Sequence, residues 1–116
     1  MEKRINRLLN SGYRRELWRN SQLMIRKISK VLPISSISVM GSFTTKKKRP
    51  GDVDFIVMLK TKGAKKKAKW SVDFVIVPDN KHGEYIFEDT KKWMKQKYGS
   101  KKSAIIPLKI GAGKRI

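Results

Sequence analysis

The chain is 116 residues long, with 29 Lys and Arg against 9 Asp and Glu and a net charge of +20. That length allows one compact core with tails, and an apolar content of 39% is low for a globular chain but too high for disorder. Cysteine is absent, which excludes disulfides, thiolate metal sites and cysteine nucleophiles together. No run approaches the roughly 18 apolar residues of a membrane span, and no apolar signal core follows the charged N-terminus, so a cytoplasmic protein with no membrane partner is expected.

Charge of this size speaks to partners rather than fold. A polyanion, either nucleic acid or a triphosphate, is the natural counterpart. The alternative is a Lys-rich composition kept for solubility, with every charge merely solvated.

Residues 2–10 carry weak helical periodicity through Ile5, Leu8 and Leu9, which breaks at Asn10-Ser11-Gly12. Over 13–32 the period is clear: Leu17, Met24, Ile28 and Val31 form one apolar stripe, and Arg15, Arg19, Gln22 and Arg26 lie opposite. This predicts a covering helix with solvated arginines, stopped by Pro33. Residues 37–40 read as a short strand ending in a Gly41-Ser42 turn, and 44–51 as a basic loop closed by Pro50-Gly51. Residues 53–59 and 72–77 are dense β-branched and aromatic runs, hence buried strands. Between them, 60–69 holds six lysines around Gly63-Ala64. Residues 88–98 read as a helix with acids at its start, lysines toward its end and Gly99 as terminator. Residues 104–110 read as an edge strand interrupted by Pro107. The expected organisation is one domain over 1–110, with a helical part at 1–32, a core at 33–110 and a flexible tail at 111–116. The expected fold is α+β: a small mixed β-sheet with helices packed on one face.

The chemistry concentrates in the few carboxylates. Asp52 and Asp54 open an apolar strand, and alternation puts both on one face, roughly 6.6 Å apart along the strand. Two acids beside Phe55, Ile56 and Val57 are costly to desolvate without positive compensation. Asp73 lies inside the next apolar run. A hairpin centred on Gly63-Ala64 would set Asp73 opposite Asp54, about 5 Å away. Three acids on one sheet face suit a hard divalent cation, or two such cations in phosphoryl-transfer geometry. The competing reading makes Asp52 a turn cap and pairs Asp54 with a lysine, which leaves Asp73 without a role. Upstream, Gly41 lets backbone N–H groups approach a phosphate, and Ser42 adds a hydroxyl donor.

Taken together, Val39-Met40-Gly41-Ser42-Phe43, then Pro50-Gly51-Asp52-Val53-Asp54-Phe55-Ile56-Val57, then Asp73, resemble the nucleotidyltransferase superfamily of DNA polymerase β. The closest likeness is to its minimal, single-domain members, many of which occur in toxin–antitoxin and defence-type operons. The resemblance spans about residues 31–78. It implies a polymerase β-like core, with two Mg²⁺ or Mn²⁺ ions held by Asp52, Asp54 and Asp73. It also implies that Asp73 orients or activates the attacking hydroxyl, and that Gly41 and Ser42 grip the β- and γ-phosphates. The implied reaction moves a nucleoside monophosphate from an NTP to a hydroxyl, whether on an RNA 3′ end, a protein or a small molecule, and releases pyrophosphate. The sequence departs from that pattern at Gly51, where the family often has Ser, and it lacks a recognisable substrate domain. Acceptor binding would then fall to the basic surface, a partner chain or a homodimer.

Lys46, followed by Lys47, Lys48 and Arg49, lies between the phosphate turn and the acids and is the candidate triphosphate contact, a solvated loop being the alternative. Lys65, Lys66, Lys67 and Lys69 sit on the expected hairpin tip and suit a nucleic-acid backbone. Trp18, Trp70 and Trp93 read as packing residues rather than base-stacking platforms. His82 and the lone Gly111-Ala112-Gly113 are assigned no role. A non-catalytic basic nucleic-acid-binding module, or a decayed transferase fold acting as antitoxin or scaffold, is the second reading of the whole chain.

Overall fold

The computed structural model describes residues 3–60, 69–99 and 105–109. The chain is α+β and divides into two compact units, Met1–Trp70 and Ser71–Ile116.

In the first unit a short helix α1 (Lys3–Leu8) precedes the long helix α2 (Gly12–Ser29). The break between them is a capping signal: the Ser11 hydroxyl accepts from the Arg14 N–H at 3.2 Å and satisfies one of the orphan donors of the first turn. Helix α2 ends at Ser29, so Val31 falls beyond its periodicity and is 80% exposed, against the expected apolar stripe. The half-buried side runs instead through Tyr13, Leu17, Trp18, Ser21, Ile25 and Ile28, with Arg14 buried among them. Arg15, Arg19 and Arg26 are exposed as expected, whereas Gln22 is half-buried.

Strand β1 (Ile34–Met40) starts three residues earlier than the sequence predicts and pairs antiparallel with β2 (Asp54–Leu59). The early start takes in Ser35 and Ser36, which are poor strand formers tolerated through an irregularity between Ile34 and Ser36. The Ser35 hydroxyl donates to the Met58 carbonyl at 3.2 Å. Alternation places Val39 and Ile37 beside Phe55 and Val57 on one face, and Met40 and Ser38 beside Asp54 and Ile56 on the other. Helix α2 approaches the first face through Trp18, whose ring lies 6.2 Å from that of Phe55. Where the sequence predicts a mixed sheet, the ladder among the described residues is antiparallel and two-stranded.

In the second unit helix α3 runs over Lys81–Tyr98, seven residues longer at its start than the 88–98 expected. The missed signal is Asn80, whose side chain caps the helix by accepting from the Gly83 N–H at 3.0 Å. Gly83 is buried so tightly that a Cβ there would collide with the Pro78 carbonyl. A glycine inside a helical pattern, which lowers its propensity, is here the residue that lets the chain fold back on itself. The C-terminal end is as predicted, with Lys95 and Lys97 in the last turn and Gly99 at φ +87°. Residues 72–77, expected as a strand, pair with no strand among the described residues, and Phe74 is 78% exposed. Composition supplies strand propensity, but a strand exists only where a neighbour supplies hydrogen bonds. Residues 105–109 of the expected edge strand likewise belong to no ladder among the described residues. The proposed hairpin centre Gly63-Ala64, the lysines Lys65, Lys66 and Lys67, and the 111–116 tail lie outside the described residues.

Candidate functional site

The first unit builds its most constrained region around the turn that follows β1. The chain leaves Met40 and enters a single 3-10 turn (Gly41–Thr44), with Gly41 at φ +79°. A residue with a Cβ is strained in that conformation. Gly41 is needed for a second reason: the ladder pairs Met40 with Asp54, and a Cβ on Gly41 would run into the Asp54 Oδ2. The carboxylate of Asp54 therefore lies directly against the Gly41 backbone. Within the turn, the Thr44 hydroxyl donates to the Gly41 carbonyl at 2.7 Å, and the Thr45 hydroxyl donates to that of Ser42 at 2.6 Å.

Arg14 holds this turn in place. It is 1% exposed, and its guanidinium donates to the carbonyls of Phe43 (2.7 Å), Thr45 (2.7 Å) and Lys47 (2.6 Å). A buried guanidinium satisfied by main-chain carbonyls fixes the path of the backbone it bonds, since each carbonyl would otherwise be desolvated without a donor. Phe43 is fully buried between the Arg14 guanidinium, 4.9 Å from its ring centre, and the stacked Trp18 ring at 5.7 Å. The far end of the loop is tied down by Tyr13, whose hydroxyl donates to the Pro50 carbonyl at 2.6 Å. The Arg49 guanidinium lies 4.3 Å over the Tyr13 ring. Trp18 is thus a packing residue, as its sequence context predicts, whereas Trp70 and Trp93, read in the same way, are 60% and 51% exposed.

The candidate residues are placed as follows. Gly41, Ser42 and Asp54 come together at the junction of β1, the turn and β2, with Ser42 and Asp54 half-buried. Asp52 is half-buried two residues before Asp54, in the segment that enters β2. Lys46 is exposed on the Arg14-pinned loop. Asp73 belongs to the second unit, on the exposed 71–78 segment, and Lys69 is exposed at the end of the first. Among the described residues no group of three His, Asp or Glu side chains gathers in metal-holding geometry. The residues that the sequence reading missed are Arg14 and Tyr13. Their signal was present: Arg14 precedes Leu17 and Trp18 by three and four positions, the spacing of one helix face. A charged residue on an apolar face marks either an error in the pattern or a buried anchor.

In the second unit a cavity of about 280 Å³ opens beside the first turns of α3, lined by Val77, Pro78, Gly83, Phe87 and the acids Asp79, Glu84 and Glu88. No helix among the described residues is long and apolar enough to cross a membrane.

A family model described as "Family of unknown function (DUF6932)" matches residues 1–107, and the chain belongs to that family. No curated protein and no solved structure matches the chain.

Proposed function

We propose that this member of the family is a metal-dependent nucleotidyltransferase that moves a nucleoside monophosphate from an NTP to a hydroxyl acceptor. The observation that supports the reading most is the pairing of Met40 with Asp54, which sets a carboxylate against the glycine of the turn that would hold the phosphates. A phosphate grip and a cation-binding acid must be neighbours for this chemistry, because a cation held by the acid would neutralise charge on the phosphates that the turn holds. Composition and propensity do not demand that juxtaposition. Asp52 and Asp54 offer hard carboxylate oxygens, the donor type that Mg²⁺ or Mn²⁺ takes, and Asp73 is the third proposed ligand. When bound, the two ions would neutralise charge developing on the transferred phosphoryl group.

The chain's own groups have separate tasks in this proposal. The Gly41 and Ser42 backbone and the Ser42 hydroxyl hold the β- and γ-phosphates, and Lys46 supplies positive charge beside them. Asp73 takes the proton of the attacking hydroxyl. The acceptor oxygen bonds to the α-phosphorus as the bond from that phosphorus to the β-bridging oxygen breaks, and pyrophosphate leaves. The polymerase β-like core, the acceptor's site on the basic surface, Lys65, Lys66, Lys67 and Lys69 as nucleic-acid contacts, and a partner chain or homodimer to complete the site all belong to this proposal.

The test is label transfer from each α-³²P-NTP, with Mg²⁺ or Mn²⁺, into RNA and into protein. Label is expected with the native chain and lost at least about a hundredfold with Asp54→Asn, the scale of removing one electrostatic contact to a reacting phosphoryl group. Absence of label with every NTP, or equal label with Asp54→Asn, overturns the reading. The net charge of +20 favours a second reading, a non-catalytic nucleic-acid-binding module. That reading expects no label and unchanged or tighter nucleic-acid binding on Asp54→Asn.

A further inference from the structure

We propose that the Arg14-pinned loop is a preformed contact site for the phosphodiester backbone of a nucleic-acid strand, made by Lys47, Lys48 and Arg49. The proposal names the acceptor class for the site described above, yet it rests on the loop alone and does not need the transfer reaction.

Like charges in sequence normally leave a loop extended and mobile by self-repulsion. This loop is instead tied at both ends and in the middle. Arg14 bonds the carbonyls of Phe43, Thr45 and Lys47, and Tyr13 bonds that of Pro50. The ties are made through main-chain carbonyls, so the side chains of Lys47 and Lys48 contribute nothing to them and stand exposed. Arg49 is held over the Tyr13 ring, which restricts its rotamers without neutralising its charge. No Asp or Glu occurs in the sequence between Glu16 and Asp52, so the segment brings no counter-ion of its own.

The lysines of α3 show the contrast. Lys91 lies 3.5 Å from Glu88 and over the Phe87 ring, and Lys97 lies over Trp93 and Tyr98. Helix α3 also carries acids of its own, Glu84, Glu88 and Asp89, beside its lysines. The loop presents consecutive cations on a main chain fixed in place and brings no acid of its own, and the ligand that repays this arrangement is one with closely repeated single negative charges. A nucleic-acid strand has them, and ordering the loop in advance removes an entropic cost from its binding. The lysines carry no bidentate base-reading group, so binding without sequence preference is expected.

The experiment measures anisotropy of fluorescein-labelled oligouridylate and oligothymidylate of about 20 nucleotides, the scale of single-strand sites. Titrations use the full chain, without NTP, across a salt series. Lys47→Ala/Lys48→Ala is compared with Lys92→Ala/Lys95→Ala, which removes the same charge from α3. The loop variant should lose about tenfold in affinity and flatten the log–log salt slope by about 1.4, two single-strand phosphates at ~0.7 each. The α3 variant should change affinity less than about threefold. Loop-dependent binding of the RNA strand, the DNA strand or both identifies the source of the backbone. Equal losses in the two variants, or no loss in the loop variant, overturn the proposal in favour of unlocalised charge. Displacement of the strand by millimolar ATP in the native chain also overturns it, by making the loop a triphosphate site. Arg14→Lys keeps the charge and loses the fork: weaker binding at an unchanged salt slope supports the pinned loop, and native-like binding overturns that part. Because binding is read without NTP, its failure is distinct from failure of label transfer.

Discussion

The two units are ordered by different kinds of contact. In Met1–Trp70 the decisive bonds join residues far apart in sequence, with Arg14 reaching carbonyls 29, 31 and 33 positions away. Phe43 and Trp18 join the same cluster, and a fully buried aromatic ring lies at its centre. In Ser71–Ile116 the described contacts are local: an Asn80 cap, a Thr90 hydroxyl on the Ile86 carbonyl one turn back, and an ion pair three residues apart. Helix-local contacts are worth tenths of a kcal/mol to about 1 kcal/mol each, whereas a buried charged hydrogen-bond network is worth several. The first unit therefore concentrates its stability in a few side chains, and the second spreads it thinly.

Substitutions of graded severity can break or sharpen that contrast. Arg14→Ala removes the donor from the three loop carbonyls and from that of Leu8, and should cost about 3 kcal/mol, read as a lowered urea midpoint, the scale set by leaving buried acceptors unsatisfied. A cost near that of a surface residue would mean that the first unit is not organised around Arg14. Gly41→Ala should cost about 2 kcal/mol, because the new Cβ meets a positive φ and the Asp54 carboxylate at once. Adding Asp54→Ala should return about 1 kcal/mol of that, since the steric part of the penalty is shared by the pair. Strict additivity would instead assign the whole cost to the backbone conformation. Asn80→Ala should cost about 1 kcal/mol and reduce helicity by circular dichroism, the usual loss for an N-cap. Glu88→Gln should change stability by less than about 0.5 kcal/mol, because both members of the Lys91 pair are exposed. A larger effect would show that the second unit relies on charge in a way that its local contacts do not reveal.

Local punctuation was the most legible part of the sequence. The break at Asn10-Ser11-Gly12, the turn at Gly41-Ser42, the strand after Asp52 and the stop at Gly99 all occur where the residues place them. Each depends on a cap, a glycine or a β-branched run, whose effects are decided within a few residues. The start of α3 was missed because Asn80 and Gly83 read as loop residues until the Pro78 carbonyl is seen against Gly83. Residues 72–77 have the propensity of a strand, which says nothing about whether a neighbour pairs with them. At the candidate site, Gly41, Ser42 and Asp54 were picked out by order and residue type, and the ladder places them together. The partnership of Asp54 with Asp73 depended on a hairpin register that runs through residues outside those described. Arg14 was overlooked because a charge is assumed to face water, an assumption that fails when several main-chain carbonyls converge on one guanidinium.

The sequence by itself determined the chain's strong positive charge, the absence of thiol chemistry, the positions of most of its turns, and the pair of acids at the start of one strand. These follow from composition and from interactions a few residues long. Only the tertiary structure decided that Met40 faces Asp54, that Gly41 has no room for a side chain, and that a buried arginine fixes the basic loop. Those outcomes depend on strand register and on which distant carbonyls meet in one place, and neither is encoded in any short stretch of residues.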